Sequence, residues 1–333
     1  MVETPSITHG GALEAPRRRR LPWLTAVKRL LAAVLVMWAA ASIAFALQEV
    51  SPGDPALAVL GGSGAKPSPE QIEQTREQYG FNDPVPQRYA EFIGNLAQGD
   101  LGTSYKFKQP VTTVIGDQIG PTMVLMTASI LIAWVISLAV VLLSAGHGRL
   151  RSSVGSGFEA FFAGLPQYWL GLVLLVIFAF ELEWFPVSGG TSLNALVLPA
   201  LTLALPLAGF LGQVTRDEFE RGLRQPFAIS ARARGVSENE VRWRHVLRHA
   251  LLPGVTLTGW AVGATISGAV IVEVIYTRPG LGRLLVDAVG DQDLPIVVGI
   301  TLLLAAVYVA VNILVDLLYV VVDPRLRSPI EVA

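Results

Sequence analysis

The sequence predicts an all-α integral membrane protein with six membrane-spanning helices, and three observations carry that prediction. Hydrophobic residues make up 52% of the 333 positions and charged residues only 15%, where an average soluble domain carries about 25% charge. Charge-free apolar stretches recur along the chain, each long enough to cross a hydrocarbon core of ~30 Å. Basic residues gather in alternate connecting segments, which is how cytoplasmic loops are marked. This pattern excludes a disordered chain, a collagen-like fibre and a disulfide scaffold, and it argues against a soluble enzyme. The chain has no cysteine, so thiolate chemistry and cysteine-held metal or iron–sulfur sites are absent.

Taken in order, the spans are residues 30–47, 123–144, 161–180, 195–211, 253–275 and 295–322. The first follows a basic segment, 1–29, and resembles a secretory leader at first sight. Its apolar run is longer than a leader's, and Gln48-Glu49-Val50-Ser51-Pro52 is no small-residue cleavage site, so it is an uncleaved span. The fourth contains Pro199 and Pro206, which predicts a kink whose freed carbonyls are satisfied by neighbouring helices. With the N-terminus in the cytoplasm, 18 of the 25 Lys and Arg residues fall on the inner side. Both termini, including the tail 323–333, are then cytoplasmic.

Residues 48–121 form an outer segment too long to be a plain connector. Ser68-Pro69-Glu70-Gln71 has a helix-start signature, with a Ser cap, Pro in the first turn and Gln three residues beyond the cap. Gly80 supplies a stop. A second helix over 86–97 places Tyr89, Phe92, Ile93 and Leu96 on one face, and Gly99-Asp100-Leu101-Gly102 forms a turn. Such a segment could cap a translocation path or receive an extracytoplasmic partner; it could equally be an ordered insertion packed on the spans.

The cytoplasmic loop 213–252 is the most informative stretch. It carries eight arginines and five acids. Residues 226–235 predict a short helix ended by Gly235. Ser237-Glu238-Asn239-Glu240 is a capping box that starts a second helix bearing Val241, Trp243, Val246 and Leu247, and Pro253 opens the next span. Arginines facing anionic headgroups explain part of this composition. A lipid anchor has no use for Glu238 and Glu240, whereas a protein-docking helix uses both signs to fix register, so docking is the better reading.

Other candidate sites carry weaker signals. Gly61-Gly62-Ser63-Gly64-Ala65-Lys66-Pro67 lacks the Gly-Lys-Ser/Thr ending of a phosphate loop, so any ATP must be bound by another chain. His245 and His249 share a helix face, but Val246 stands where a zincin needs Glu. Asn312 and Asp316 are intramembrane polar groups, better suited to interhelical hydrogen bonds than to a proton relay. Gly259, Gly263 and Gly268 allow close helix approach in the fifth span. Glu273, Arg278, Asp287, Asp291 and Asp293 flank the outer mouth and are expected to form a solvated rim.

Four ordered stretches give the chain a resemblance to a known family. They are Ser51-Pro52-Gly53-Asp54-Pro55-Ala56; Gly99-Asp100-Leu101-Gly102-Thr103-Ser104 with Pro110-Val111; Ala231-Arg232-Ala233-Arg234-Gly235-Val236-Ser237-Glu238 with Arg244-His245-Val246-Leu247-Arg248-His249-Ala250-Leu251-Leu252-Pro253; and Pro279-Gly280-Leu281-Gly282-Arg283-Leu284 with Asn312, Asp316 and Asp323-Pro324-Arg325. Over about residues 25–328 the chain resembles the membrane-spanning permease subunits of ATP-binding-cassette (ABC) importers, in the oligopeptide/dipeptide/nickel group and its first-permease, B-type branch. It departs from the broader importer signature, which begins Glu-Ala-Ala, by having Ile229-Ser230-Ala231.

The resemblance implies a type I importer fold with a permease core over 122–322, and a coupling helix over 237–247 seated in a groove of an ATPase. The implied coupling residues are Ala231, Arg232, Ala233, Gly235, Ser237, Glu238, Glu240, Val241, Arg244 and His245. Gly53, Asp54, Pro55, Asp100, Gly102, Pro279, Gly280 and Gly282 would serve extracytoplasmic docking or gating. Implied partners are a C-type permease, two ATPases holding ATP and Mg2+, an extracytoplasmic substrate-binding protein and membrane lipids, with no nucleic acid and no cofactor on this chain. The implied location is a bacterial cytoplasmic membrane. The competing readings are a stand-alone secondary transporter, which would need inverted repeats and paired intramembrane charges, and a membrane scaffold.

Overall fold

The computed structural model describes residues 22–50, 53–61, 66–188, 190 and 192–322. The basic segment 1–21, Ser51, Pro52, the string 62–65 and the tail 323–333 lie outside the described residues, as do the side chains of Asn312 and Asp316. Among the described residues the fold is helical throughout, apart from one isolated bridge between Thr103 and Pro110.

The first helix, α1, spans Pro22–Val50. Three short helices follow in the outer segment: α2 (Pro55–Val59), α3 (Pro69–Gln78) and α4 (Val85–Ala97). The α3 start is a complete capping box: Ser68 Oγ accepts from Gln71 N at 3.2 Å, and Gln71 Oε1 accepts from Ser68 N at 2.8 Å. The apolar face of α4 lies on α1, with the Phe45 ring 5.3 Å from Tyr89 and 5.4 Å from Phe92. Phe92, Ile93 and Leu96 also pack on Val298 and Leu302. The outer segment is thereby folded down onto the spans.

The next helix, α5 (Val111–Ser144), starts a dozen residues before the apolar run that predicts it. Its first turns are buried because Val111, Val114 and Ile115 pack on Leu281, Leu284, Ile296 and Ile300; Pro121 sits inside it. The third apolar run is the second arm of a broken pair, α6 (Gly148–Gly164) and α7 (Gln167–Leu175, continued as a π-turn over Val176–Glu181), bent by 100°. The break is at Leu165, extended at φ −77° and ψ 133°, because Pro166 disfavours a helical residue before it.

The longest central contact surface belongs to α8 (Leu193–Leu223), which packs on α5, α6, α7 and α11 (Leu247–Ile275). Pro199 and Pro206 lie within α8 without interrupting it. The cytoplasmic-loop sequence forms α9 (Pro226–Ala233) and α10 (Glu238–Glu240), and a π-turn over Val241–Val246 leads directly into α11. Pro253 therefore sits inside a helix rather than opening one. It removes one backbone donor and leaves the helix running. The last two helices are α12 (Leu281–Gly290) and α13 (Leu294–Val322).

Four helices are long and apolar enough to cross a membrane among the described residues: Val111–Ser144, Leu193–Leu223, Leu257–Ile275 and Leu294–Val311; the bent pair adds a fifth if its two arms form one span. In α1 the described apolar stretch, Leu31–Leu47, is shorter. The membrane-level core gathers Leu125, Met126, Leu170, Leu174, Leu198, Leu203, Val272 and Tyr276.

Candidate coupling and gating sites

At one end of the molecule α9 and α10 form a tight hairpin. Pro226 occupies the first turn of α9, where its missing N–H costs nothing. Gly235 closes the helix at φ +79°, a left-handed conformation that side chains disfavour. Gly235 N and Val236 N donate back to Arg232 O and Ala231 O at 2.9 and 3.2 Å. Ser237 caps α10 by accepting from Glu240 N at 3.3 Å. The reciprocal half of that capping box is replaced by an ion pair, since the Glu240 carboxylate meets Arg244 at 3.3 Å.

Arg232 is the staple of the hairpin. Its Nε and Nη2 donate to the two Glu238 oxygens at 2.8 and 2.9 Å, and Nη1 donates to Leu223 O, the last carbonyl of α8, at 2.8 Å. The guanidinium holds the Glu238 carboxyl below its usual range. Underneath, Ala228, Ala231, Val241, Val246 and Ala250 join Val141, Ala145 and Phe219 in one core. The implied coupling residues therefore divide. Ala231 and Val241 are buried, Arg232 and His245 are half-buried, and Ala233, Gly235, Ser237, Glu238, Glu240 and Arg244 are exposed. Beside them Ile229 and Trp243 stand out at 56% and 60% exposure. His245 and His249 do separate things: His245 approaches its own Glu240 carbonyl at 3.4 Å, and His249 packs on Phe227 at 4.9 Å.

Arg242, a residue that sequence reasoning missed, anchors the hairpin to the turn between α5 and α6. It is 4% exposed. Nη2 donates to Ala145 O at 2.8 Å, Nη1 meets His147 Nδ1 at 3.0 Å, and the guanidinium lies 5.7 Å from the Phe219 ring centroid. Burial, then the Arg242 charge, lowers the His147 pKa, so the neutral imidazole accepts that bond. A signal did exist: Arg242 follows Val241 in a run whose period buries both.

At the opposite end, Glu273 joins three helices. It is fully buried. Thr122, just past Pro121 in α5, donates to Glu273 Oε1 at 2.6 Å and accepts from Leu281 N at 2.8 Å. Glu273 Oε2 accepts from Gly282 N at 2.7 Å and Arg283 N at 3.2 Å, the first free donors of α12. Gly280 and Gly282 are required by space: a Cβ on Gly280 would overlap the Glu273 carboxyl, and one on Gly282 would overlap Val270 backbone. Pro279 sits half-buried beside them.

The expectation of a solvated rim is corrected here. Glu273, Arg278 and Asp293 are all buried, and only Asp287 and Asp291 are exposed. Arg278 donates to Gly190 O at 2.8 Å. Asp293 clasps the outer segment by accepting from Ser104 Oγ and from Tyr105 N and Lys106 N at 3.1 Å each. Burial, then the Asp293 charge, pushes the Tyr105 hydroxyl up to about 12. Charge composition alone assigns such residues to water; their partners lie far off in the sequence, 189 positions for Asp293 and Ser104, 151 for Glu273 and Thr122 and 88 for Arg278 and Gly190.

The remaining outer positions shape turns. Gly53 has φ +136° and abuts the Gln292 side chain. Asp54 caps α2 through Ala56 N at 3.0 Å and pairs with Arg76 at 2.7 Å, with Pro55 in the first turn. Asp100 accepts from Gly102 N at 2.8 Å, and Gly102 O accepts from Val111 N at 3.0 Å, leading into α5. In the fifth span Gly263 and Gly268 face Tyr308 and Gln167 of this same chain.

The fold and these two ends define a multi-pass membrane protein with a folded hairpin at one end of its helices and a capped, interlocked opposite end. Residues 137–328 match the family described as "Binding-protein-dependent transport system inner membrane component", and residues 24–127 match that family's N-terminal region. The chain belongs to this family of ABC importer permeases. It is 35% identical over 313 residues to the "Oligopeptide transport system permease protein AppB" of Bacillus subtilis, covering 90% of this chain and 98% of that protein. A putative peptide transport system permease of Brucella abortus is 36% identical over 314 residues, with the same coverage. The "Glutathione transport system permease protein GsiC" of Pectobacterium atrosepticum is 34% identical over 302 residues, again covering 90% and 98%. Among solved structures, "an amino acid ABC transporter with histidines" aligns at 17% identity over 64% of this chain and 94% of that one, with a TM-score of 0.47. The protein is a membrane-embedded permease subunit of an ATP-driven importer. It works with separate ATPase subunits and another permease, and it is neither an enzyme itself nor a stand-alone secondary transporter.

Proposed function

We propose that this chain is the B-type permease of an importer for peptides or peptide-like solutes, crossing the membrane six times with both termini in the cytoplasm. Its partners are a C-type permease, two ATPases that hold ATP and Mg2+, and an extracytoplasmic substrate-binding protein. The peptide and glutathione names of its relatives support the substrate class. The distribution of basic residues supports the orientation.

The observation that carries this reading is the Arg232-stapled hairpin. Its inner face is packed into the core, while Ile229, Trp243 and Arg244 are presented outward between exposed charges of both signs. A mixed surface with apolar anchors suits a protein groove better than headgroups. In this account Ala231 and Val241 seat the hairpin. Arg232, Ala233, Gly235, Ser237, Glu238, Glu240, Arg244 and His245 form or shape the surface that the ATPase grips. Closure of the ATPases moves the hairpin and turns the spans as rigid bodies. On the outer side Gly53, Asp54, Pro55, Asp100, Gly102, Pro279, Gly280 and Gly282 hold the loops that receive the binding protein and gate the path. Asn312 and Asp316 serve helix–helix hydrogen bonding.

The test is reconstitution of the four subunits in liposomes with the binding protein and labelled short peptides. The wild-type permease should stimulate ATP hydrolysis and concentrate peptide. A permease with Ile229, Trp243 and Arg244 changed to Ala should assemble with its C-type partner and lose both. Full uptake by that variant would refute the assignment.

A further inference from the structure

Glu159 of α6 and Arg216 of α8 form a buried ion pair that none of the roles above uses. The two side chains are 1% and 7% exposed. Arg216 Nε donates to Glu159 Oε2 at 2.6 Å and Nη2 to Oε1 at 2.9 Å; Nη2 also donates to Ser144 Oγ, at the end of α5, at 2.6 Å. The glycines around the pair leave no slack. A Cβ on Gly155 would overlap Ser144 and Arg216, one on Gly212 would come within 2.9 Å of Glu159 Cγ, and one on Gly209 within 2.5 Å of Ala163 N. Helices α6 and α8 therefore run antiparallel in close contact, with Ser152 reaching Glu220 at the far end.

A buried ion pair seldom adds net stability, because desolvation offsets its attraction, and its better-attested use is to fix register. Its position here says which register matters. The helix that carries Arg216 ends at Leu223, whose carbonyl the hairpin grips through Arg232. The helix that carries Glu159 ends at the 100° elbow of Leu165 and Pro166. One unbroken helix thus joins the hairpin to the pair, and the pair joins that helix to the elbow.

We propose that Glu159 and Arg216 are positioning residues that bind α6 to α8 as one body, so that movement of the hairpin is delivered to the elbow between α6 and α7. This rests on the coupling role assigned to the hairpin. Both arms of the fork are needed: a lysine at 216 keeps the charge but cannot reproduce a two-point contact.

The experiment uses the assembled complex and the absence of native cysteine. Spin labels on Ser153 and Asp217, exposed positions of α6 and α8, report the distance between the two helices. Labels on Ser153 and Leu172 report across the elbow. Between the nucleotide-free and ATP-trapped states the first distance should stay fixed and the second should change. Glu159→Gln and Arg216→Lys should each lower peptide taken up per ATP hydrolysed by about tenfold, with ATP hydrolysis still stimulated. A purely structural role would instead lower assembly and leave that ratio alone. A Ser153–Asp217 distance that shifts with nucleotide in the unsubstituted pair, or a wild-type uptake ratio in both variants, would overturn the proposal. If the variants do not assemble, the distance measurement still decides. A wild-type complex showing no stimulation at all would overturn the coupling assignment itself, and this inference with it.

Discussion

Arg232 binds both carboxylate oxygens of Glu238 across the Gly235 turn, at 2.8 and 2.9 Å, while its remaining nitrogen holds the last carbonyl of α8 at 2.8 Å. One side chain thus fixes the angle between the two arms of the hairpin and ties both to α8, the helix that packs on α5, α6, α7 and α11. An exposed pair of this kind adds only about 1 kcal/mol or less to stability. Arg232→Ala should leave the melting temperature of the purified permease nearly unchanged and reduce stimulated ATP hydrolysis by about tenfold. Parallel melting and hydrolysis assays check both halves.

Gly235 should prove sensitive for conformational rather than steric reasons. Among the described residues no atom lies within 4 Å of where a Cβ would stand, but φ is +79°, and a side chain in that region costs roughly 1–2 kcal/mol. Gly235→Ala should therefore weaken stimulation nearly as much as Gly235→Trp, whereas Gly235→Asn, which tolerates the left-handed region, should retain most of it. Stimulated ATP hydrolysis across the three variants checks the ranking.

Glu273 and Gly282 should show the opposite signature. Gly282→Ala would drive a methyl into Val270 backbone, and overpacking of this type costs about 1–3 kcal/mol. Glu273→Ala strands Thr122 and the first donors of α12, each such loss costing about 1–3 kcal/mol. Both variants should lower the detergent-solution melting temperature, measured by intrinsic fluorescence, before any effect on coupling is considered.

Much of this is legible in the sequence, and the failures share a cause. Periodic apolar runs and local punctuation locate α3, α4, α8 and α13, because Ser68, Pro69, Gly80 and Gly235 act within a few residues of themselves. The start of α6 is hidden because Arg149, Arg151 and Glu159 make that stretch look like a loop; Glu159 is inside only because Arg216 lies 57 positions on. Asp293 and Glu273 read as solvated for the same reason. A charge whose partner is distant in sequence cannot be told from a solvated one by composition.

The Asp293 clasp gives a prediction about the outer segment. Asp293→Ala removes the acceptor for Ser104, Tyr105 and Lys106. Trypsin should then cut after Lys106 or Lys108 much faster than in the wild type, as followed by mass spectrometry of the severed chain.

Acid should loosen the hairpin's anchor. The folded His147 pKa lies below the usual 6.5, so the folded state takes up a proton less readily than the unfolded one. The stabilisation is present above about 6.5 and is lost as pH falls through the lower folded value. The Glu238 carboxyl, held down by Arg232, behaves alike in a more acidic window: its contribution holds above the ordinary carboxylate range and disappears as pH falls through its depressed value. Thermal melts from pH 7.5 down to 5.5 should show a decline for the wild type that is smaller in His147→Gln.

The central claim is that the surface bearing Ile229, Trp243 and Arg244 seats an ATPase. Because the chain contains no cysteine, Trp243→Cys carries a single attachment point for a photoactivated crosslinker. In the reconstituted, peptide-transporting complex, irradiation should yield a covalent adduct between the permease and an ATPase subunit, with crosslinked complexes arrested in transport. A complex that transports peptide while the reagent at position 243 couples only to lipid or solvent would contradict the account.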